Sequence, residues 1–233
     1  MKNVEIITCC IIIAILSSSC LEVDKMIPDP APCKGMPLVI HEGKEYPTIQ
    51  IGNQCWLTEN LDVGTFISSG QEMSDNGIIE KYCYENDTIN CAIYGGLYQW
   101  DEIMKYVSKP GAKGICPPGW HIPTIDEWFE LSEYLGKGYL AGEMLKDNSK
   151  GLWDEPNSGA LNGSGFSALP AGTLFADSTF SNLGLKTYFW ASDEVDDIYA
   201  WNRILIHAGT KFMEVATKKE NARSVRCIKN QKL

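Results

Sequence analysis

The stretch CPPGWHIPTIDEW, residues 116–128, decides the fold of this chain. It runs from a cysteine through a Pro-Pro-Gly turn and a tryptophan into a short strand, and then into a helix whose start is written out in full. Thr124 and Glu127 stand at the T-x-x-E spacing of a capping box, in which the threonine hydroxyl accepts from a free N–H of the first helical turn and the glutamate reaches back to another. Pro123 fixes the chain entry just ahead of the cap. The segment therefore specifies a strand-turn-helix corner, and its acids Asp126 and Glu127 are accounted for by capping and by the positive end of the helix dipole rather than by acid–base chemistry.

Working outward, the chain has 233 residues, enough for one well-buried domain and an appended segment. Its formal charge of −10 and the lack of any basic run argue against nucleic acid as a partner, since phosphates would be repelled. The N-terminus differs from the rest. Residues 6–16 form an apolar run too short to span a bilayer and suited to a signal-peptide core. It leads into Ser17-Ser18-Ser19-Cys20, which resembles a bacterial lipobox. Residues 1–19 are thus expected to be a lipoprotein signal peptide, with Cys20 lipidated, palmitate among the acyl groups, and holding the protein to a membrane without a spanning helix. The leucine four rather than three residues before Cys20, and an n-region with only Lys2 opposed by Glu5, leave a general secretory signal as the alternative. Either reading exports the protein. Residues 20–35 (CLEVDKMIPDPAPCKG) are Pro-rich and polar and read as the lipidated N-terminus and tether. Residues 36–233 form the domain.

Nine cysteines are present. Cys9 and Cys10 leave with the leader and Cys20 carries lipid. Cys33, Cys55, Cys83, Cys91, Cys116 and Cys227 remain, an even number that points to disulfides in an exported chain, although six cysteines allow 15 pairings. With no C-x-x-C pair and only His41, His121 and His207, a zinc site is not expected.

The domain opens with strand-like alternation up to the Gly52-Asn53 turn, and a second strand follows through Cys55, Trp56 and Leu57. Residues 68–92 read as a surface loop pinned by Cys83 and Cys91. Closing that nine-residue loop is worth roughly 2.5 kcal/mol in chain entropy. Leu97, Trp100, Met104 and Val107 fall at helical spacing, stopped by Lys109-Pro110-Gly111, and Trp128, Leu131 and Leu135 share a face of a second helix ending near 136–138. Residues 146–187 form a long irregular region with GFSALPAG (165–172) as its apolar centre. Such loops are where function usually resides. Strands are expected at 187–192, 198–207, 211–216 and 224–229. The order is that of an α+β domain with two helices, antiparallel strands and a long loop region.

The chain resembles the Fibrobacter succinogenes major paralogous domain family. The resemblance runs from about Gly43 to Lys229 and is carried by YPTIQIGNQCWLTENL (46–61), YCYENDTINCAIYGGLYQW (82–100), GICPPGWHIPTIDEW (114–128), GFSALPAG, YFWASDE (188–194), AWNR (200–203) and SVRCIKN (224–230), seven words in the same order. Cys55 departs from the pattern, where a bulky residue is expected, and is assigned to Cys33 just outside the matching region. The resemblance implies an exported or lipid-anchored protein of Bacteroidota-like bacteria without an established catalytic activity. A more distant similarity is to the C-type lectin-like fold, which includes the formylglycine-generating sulfatase-modifying enzymes. That similarity implies a disulfide between the second helix region and the last strand, a role Cys116 and Cys227 fit, with an entropy worth of roughly 4.8 kcal/mol.

Three sharper readings follow. Glu155-Pro156-Asn157 is the tripeptide with which C-type lectins ligate calcium and a sugar hydroxyl pair. It needs a downstream W-N-D, and the chain offers only Trp190-Ala191-Ser192-Asp193 and Trp201-Asn202-Arg203, the latter with a cation where calcium needs a carboxylate. No cofactor is therefore expected, with calcium as the alternative this tripeptide raises. Enzymatic chemistry of the formylglycine-generating kind needs a reactive cysteine pair late in the domain, whereas Cys227 stands alone, so the protein is not expected to be an enzyme. Calcium-free carbohydrate stacking would use an exposed tryptophan. Trp56, Trp100, Trp120, Trp128, Trp190 and Trp201 read as core, which leaves Trp153 in the long loop as the platform, unless it plugs that loop instead. His121 is expected to be satisfied by backbone, and Arg223 and Arg226 to be solvated or paired with local acids. The expected function is recognition of a glycan or surface partner at the cell envelope, by an outer-membrane lipoprotein facing outside or the periplasm, with a purely structural or adhesive module as the alternative.

Overall fold

A computed structural model describes residues 28–231 of the chain. The expected signal peptide, the lipidated Cys20 and residues 21–27 of the tether lie outside the described residues. The elements are β1 (Leu38–His41), β2 (Lys44–Ile51), β3 (Gln54–Leu57), β4 (Thr65–Phe66), β5 (Glu80–Lys81), α1 (Thr88–Tyr94), α2 (Trp100–Met104), β6 (Trp120–His121), α3 (Ile125–Tyr134), α4 (Ala141–Leu145), β7 (Ala171–Leu174), β8 (Phe180–Leu183), β9 (Lys186–Glu194), β10 (Tyr199–Ile206), β11 (Met213–Lys218) and β12 (Ile228–Lys229). This is an α+β domain, mostly strand, with four short helices rather than two.

The largest sheet has the order β1-β2-β3-β12-β6, so the last strand lies between the second hairpin strand and the strand of the 116–128 corner. Ile228 faces Trp56 on one side and His121 on the other. A second sheet, β11-β10-β9, is an antiparallel meander, and two pairs complete the strands: parallel β4-β5 and antiparallel β7-β8. The segment leading into β12 threads the middle of the molecule. Ala222 bridges Leu174, Arg223 bridges Tyr98, and Ser224 bridges Phe189. Leu61 and Leu57 donate to the carbonyls of Val225 and Cys227. Residues 221–228 are all buried.

The corner is built as its sequence specifies. Thr124 accepts from the Glu127 N–H and the Glu127 carboxylate accepts from the Thr124 N–H, the reciprocal capping box. Gly114, at φ 50°, enters the turn where a Cβ would lie 2.0 Å from the Ile103 carbonyl oxygen, so only glycine fits there. Trp128 then stacks on Trp56 at 4.5 Å and meets Phe166, Phe189 and Phe212. Those rings, with Leu131, Leu135 and Leu205, form one core. Tyr46, Leu97, Trp100, Ile103, Trp120 and Val225 anchor a second.

Three differences from the sequence expectations have physical reasons. The first expected helix shrinks to α2, because Lys105 and Tyr106 turn to φ 52° and 58°, conformations that end a helix, and Val107 lies exposed beyond it. The loop at 68–92 holds α1, capped by Asp87. Only Cys91 of that helix is buried, so it shows no apolar period to read. The tether ends earlier than residue 35: Ala31 bridges Gln50, and Cys33 is buried with its N–H donating to Thr48.

Three disulfides staple the fold: Cys33–Cys55, Cys83–Cys91 and Cys116–Cys227. By loop length their entropic contributions rank about 4.8, 3.4 and 2.5 kcal/mol for Cys116–Cys227, Cys33–Cys55 and Cys83–Cys91. Paired Cys→Ala variants should lose thermal stability in that order. A Cys83/Cys91 variant as unstable as the Cys116/Cys227 variant would contradict it.

His121, on β6, is satisfied by side chains rather than by backbone. One ring nitrogen meets the Glu127 carboxylate at 2.9 Å and the other meets Asn230 at 2.7 Å. Burial alone would lower the His121 pKa and raise that of Glu127. Their hydrogen bond and opposite charges more than offset it, so His121 sits above and Glu127 below its ordinary value. The raised histidine contributes stability fully below its unfolded value of 6.5 and loses it as pH rises through the folded one. The depressed carboxylate contributes above its unfolded value of 4.5 and loses it as pH falls through the folded one. The melting-temperature gap between the native protein and Glu127→Gln should therefore be widest between pH 4.5 and 6.5 and narrow on both sides. A pH-independent gap would refute the pairing.

Candidate functional site

The long region after α4 is ordered by turns and by contacts to the end of β10. Asp147 gathers the N–H groups of Ser149 and Lys150 at 3.0 and 2.9 Å, closing the first bend. Asp154 N–H donates to the Gly184 carbonyl, and Ser158 N–H to that of His207. Trp153 points inward between these ties. It is 6 % exposed, and its indole N–H donates to the Ala168 carbonyl at 2.9 Å. It is the plug of its own loop rather than an exposed stacking platform. The buried indole N–H needs an acceptor, and the Ala168 carbonyl, which also accepts the Asp147 N–H, supplies it while the ring fills the space beneath the loop.

Glu155 and Asn157 diverge. The Glu155–Pro156 peptide is cis and the Glu155 side chain is exposed, while its carbonyl meets the His207 ring at 3.1 Å. Asn157 turns its amide inward to the Asp147 carbonyl at 3.3 Å, and its buried Oδ1 has no hydrogen-bond partner among the described residues. The residues weighed as completing a calcium cage are engaged elsewhere. Asp193 accepts the Ile125 N–H at the start of α3. Asn202 donates to the Val215 carbonyl, and Arg203 pairs with Glu214 at 3.0 Å. Among the described residues, no group of three or more His, Cys, Asp or Glu side chains is placed to hold a metal ion.

The same region does contribute to a cleft at its far end. The β7–β8 turn (Leu174, Phe175, Ala176, Ser178) faces the 69–72 loop, with Tyr82, Gln99 and Glu220 closing the sides, around a volume of about 220 Å³. The walls are fixed from behind. Tyr82 donates to the Gln71 carbonyl at 2.6 Å, Gln99 Nε2 to the Glu220 carbonyl at 3.0 Å, and the Ala176 N–H to Asn221. The Phe175 ring is backed by the Arg223 guanidinium at 5.5 Å. Glu72, Glu220 and Ser178 line the cleft, and their side chains make no hydrogen bond to a described residue. An aromatic residue edged by unengaged carboxylate and hydroxyl groups can hold a polyhydroxylated ring. The volume, below the 300–1,000 Å³ or so of a drug-sized site, suits one sugar unit or a chain end.

Sequence reading missed this cleft because its walls come from segments far apart in the chain and from loop residues of ordinary type. It also misplaced the late arginines. Arg226 is 1 % exposed and makes no ion pair with a described residue. Its guanidinium donates to Asn60 Oδ1 and to the carbonyls of Leu57, Phe166 and Ser167 at 2.7–3.1 Å, over the Phe166 ring. Arg223 is buried against Tyr188, with Thr173 and Thr217 as acceptors. Lys146, unremarked in the sequence, is fully buried.

The architecture is thus a disulfide-stapled α+β domain whose loops, rather than its sheets, carry an open polar cleft. The Fibrobacter succinogenes major domain matches residues 49–229, and the chain belongs to that family. No curated protein and no solved structure matches the chain.

Trp153→Ala should cost about 3–5 kcal/mol in denaturant unfolding, as for a buried tryptophan. Trp153→Phe, which keeps most of the packing and loses the hydrogen bond, should cost about 1 kcal/mol. An alanine variant of native stability would return Trp153 to the surface.

Proposed function

We propose that this protein is a cell-envelope lipoprotein, exported by residues 1–19 and anchored through Cys20, whose domain recognises a glycan without performing catalysis. Three disulfides suit an oxidising compartment, and the polar segment after Cys20 gives the domain reach from a membrane surface. Among the described residues no helix is long and apolar enough to cross a membrane, and attachment is assigned to the lipid. The strand-helix corner and the loop-borne cleft accord with an architecture of C-type lectin-like type.

The observation that carries the reading is the cleft at Phe175, with its unengaged Glu72, Glu220 and Ser178 groups. In this reading the ligand binds without calcium, because the E-P-N loop directs Asn157 inward. The inward commitment of Trp153 and Asn157 also favours a second reading, a structural or adhesive surface module with no small ligand.

A glycan array run with and without chelator separates these. The expected result is binding that survives chelation and falls at least ~10-fold in Glu72→Ala, an exposed substitution that breaks no hydrogen bond; that loss corresponds to about 1.4 kcal/mol. No binding to any glycan would favour the structural module, and binding abolished by chelation and by Asn157→Ala would favour the calcium site. Intact-mass analysis of the mature protein should place the acyl mass on Cys20, and an unmodified N-terminus elsewhere would remove the anchor.

A further inference from the structure

Lys146 follows α4 directly and has no exposed surface. A buried ammonium normally sits against a carboxylate, because desolvating an unpaired charge costs several kcal/mol. Lys146 makes no ion pair with any described residue. Its Nζ is ringed by four backbone carbonyls: Ser158 at 2.8 Å, Gly209 at 2.9 Å, Ile206 at 3.3 Å and His207 at 3.4 Å. The Trp153 ring lies 5.6 Å away on the remaining side. Four oxygens from two separate segments, converging on one positive centre with an aromatic face beside it, are the surroundings of a bound monovalent cation.

Two further observations join this cage to the loop. The carbonyls come from the middle of the 147–165 region and from the end of β10 with its following turn, so the charge links segments 48–51 residues apart. The Ser158 N–H donates to His207 and the His207 ring meets the Glu155 carbonyl, so the loop lies against the strand end around the charge. The Asn157 amide on the Asp147 carbonyl closes the remaining edge.

We infer that these four carbonyls form a monovalent-cation site occupied by the chain's own Lys146 ammonium, which holds the 147–165 loop on the end of β10 in the role a bound metal ion would otherwise fill. Glu143 on α4 is the charged neighbour that supports the ammonium, while burial lowers its pKa to about 8, so the group is charged at neutral pH. The inference concerns how the loop is ordered and is independent of whether the cleft at Phe175 binds sugar.

The test is hydrogen exchange of the 147–165 amides in the full domain. Lys146→Met keeps the unbranched apolar stem and removes the charged group at its end. It should speed exchange of those amides at least ~10-fold, the scale of losing one charge-assisted hydrogen bond, while the β9–β10 amides keep their protection. Lys146→Ala leaves the carbonyls facing a void, and millimolar ethylammonium should restore the lost protection, whereas calcium should not. The native protein should respond to neither ethylammonium nor chelator. Native-like exchange in Lys146→Met, or rescue of Lys146→Ala by calcium alone, would overturn the inference. Should both variants fail to fold, nitrogen NMR of the native protein decides: one lysine Nζ should show slowly exchanging ammonium protons and titrate well below the others, and a uniform set of solvated lysines would refute it.

Discussion

The Arg226 guanidinium is the interaction on which the rest of the structure depends. It lies buried and makes no ion pair with a described residue, and its donors reach the Leu57 strand end, Asn60, and the Phe166 and Ser167 carbonyls of the GFSALPAG turn. Burial pushes its pKa down, yet a guanidinium does not shed its proton under ordinary conditions. The charge therefore has to be satisfied in place, and only the assembled arrangement of early hairpin, loop turn and last strand satisfies it. Replacing it by a neutral side chain would leave at least three acceptors facing a dry interior, the most expensive kind of defect. The Phe166 and Phe189 rings, 4.3 and 5.7 Å from it and set edge to face with each other, connect this polar hub to the aromatic core around Trp128.

Lys146 and Arg226 solve the same problem in the same way. Each buries a cation and solvates it chiefly with peptide carbonyls rather than with a contacting acid. In an acidic chain this has a double effect. The buried set holds Lys146, Arg203, Lys219, Arg223 and Arg226 but only Glu102 and Asp147 among the acids, so positive charge is drawn inside and the surface is more acidic than the composition suggests. A cleft edged by Glu72 and Glu220 on such a surface disfavours polyanionic ligands and suits neutral or cationic ones.

Much of the scaffold was legible in the residues. The Thr124–Glu127 cap, the Gly52-Asn53 turn and the family words located the corner, the first hairpin and the terminal strands, because each is a local pattern with a local cause. What escaped notice was non-local. Nothing in LKDNSKG marks Lys146 as buried, since its acceptors are backbone groups that every residue carries. Trp153 could be exposed or a plug until the Ala168 carbonyl was placed beneath its indole. The E-P-N tripeptide was a correct spelling in the right region, but its meaning depends on where Asp193 and Arg203 end up, and those are committed to a helix cap and an ion pair.

The placement of residues 221–228 carries a consequence for how the protein folds. This innermost segment follows its partners at Trp56, Leu57 and Asn60 by more than 160 residues in the chain. Until it arrives, the two cores share an open seam and the Cys116 thiol has no mate. Contacts this distant in the chain are costly to close, so the joining of the two cores waits on that segment. The keystone thus makes the decisive step of folding a long-range one, in which the centre of the molecule and the Cys116–Cys227 bridge close together.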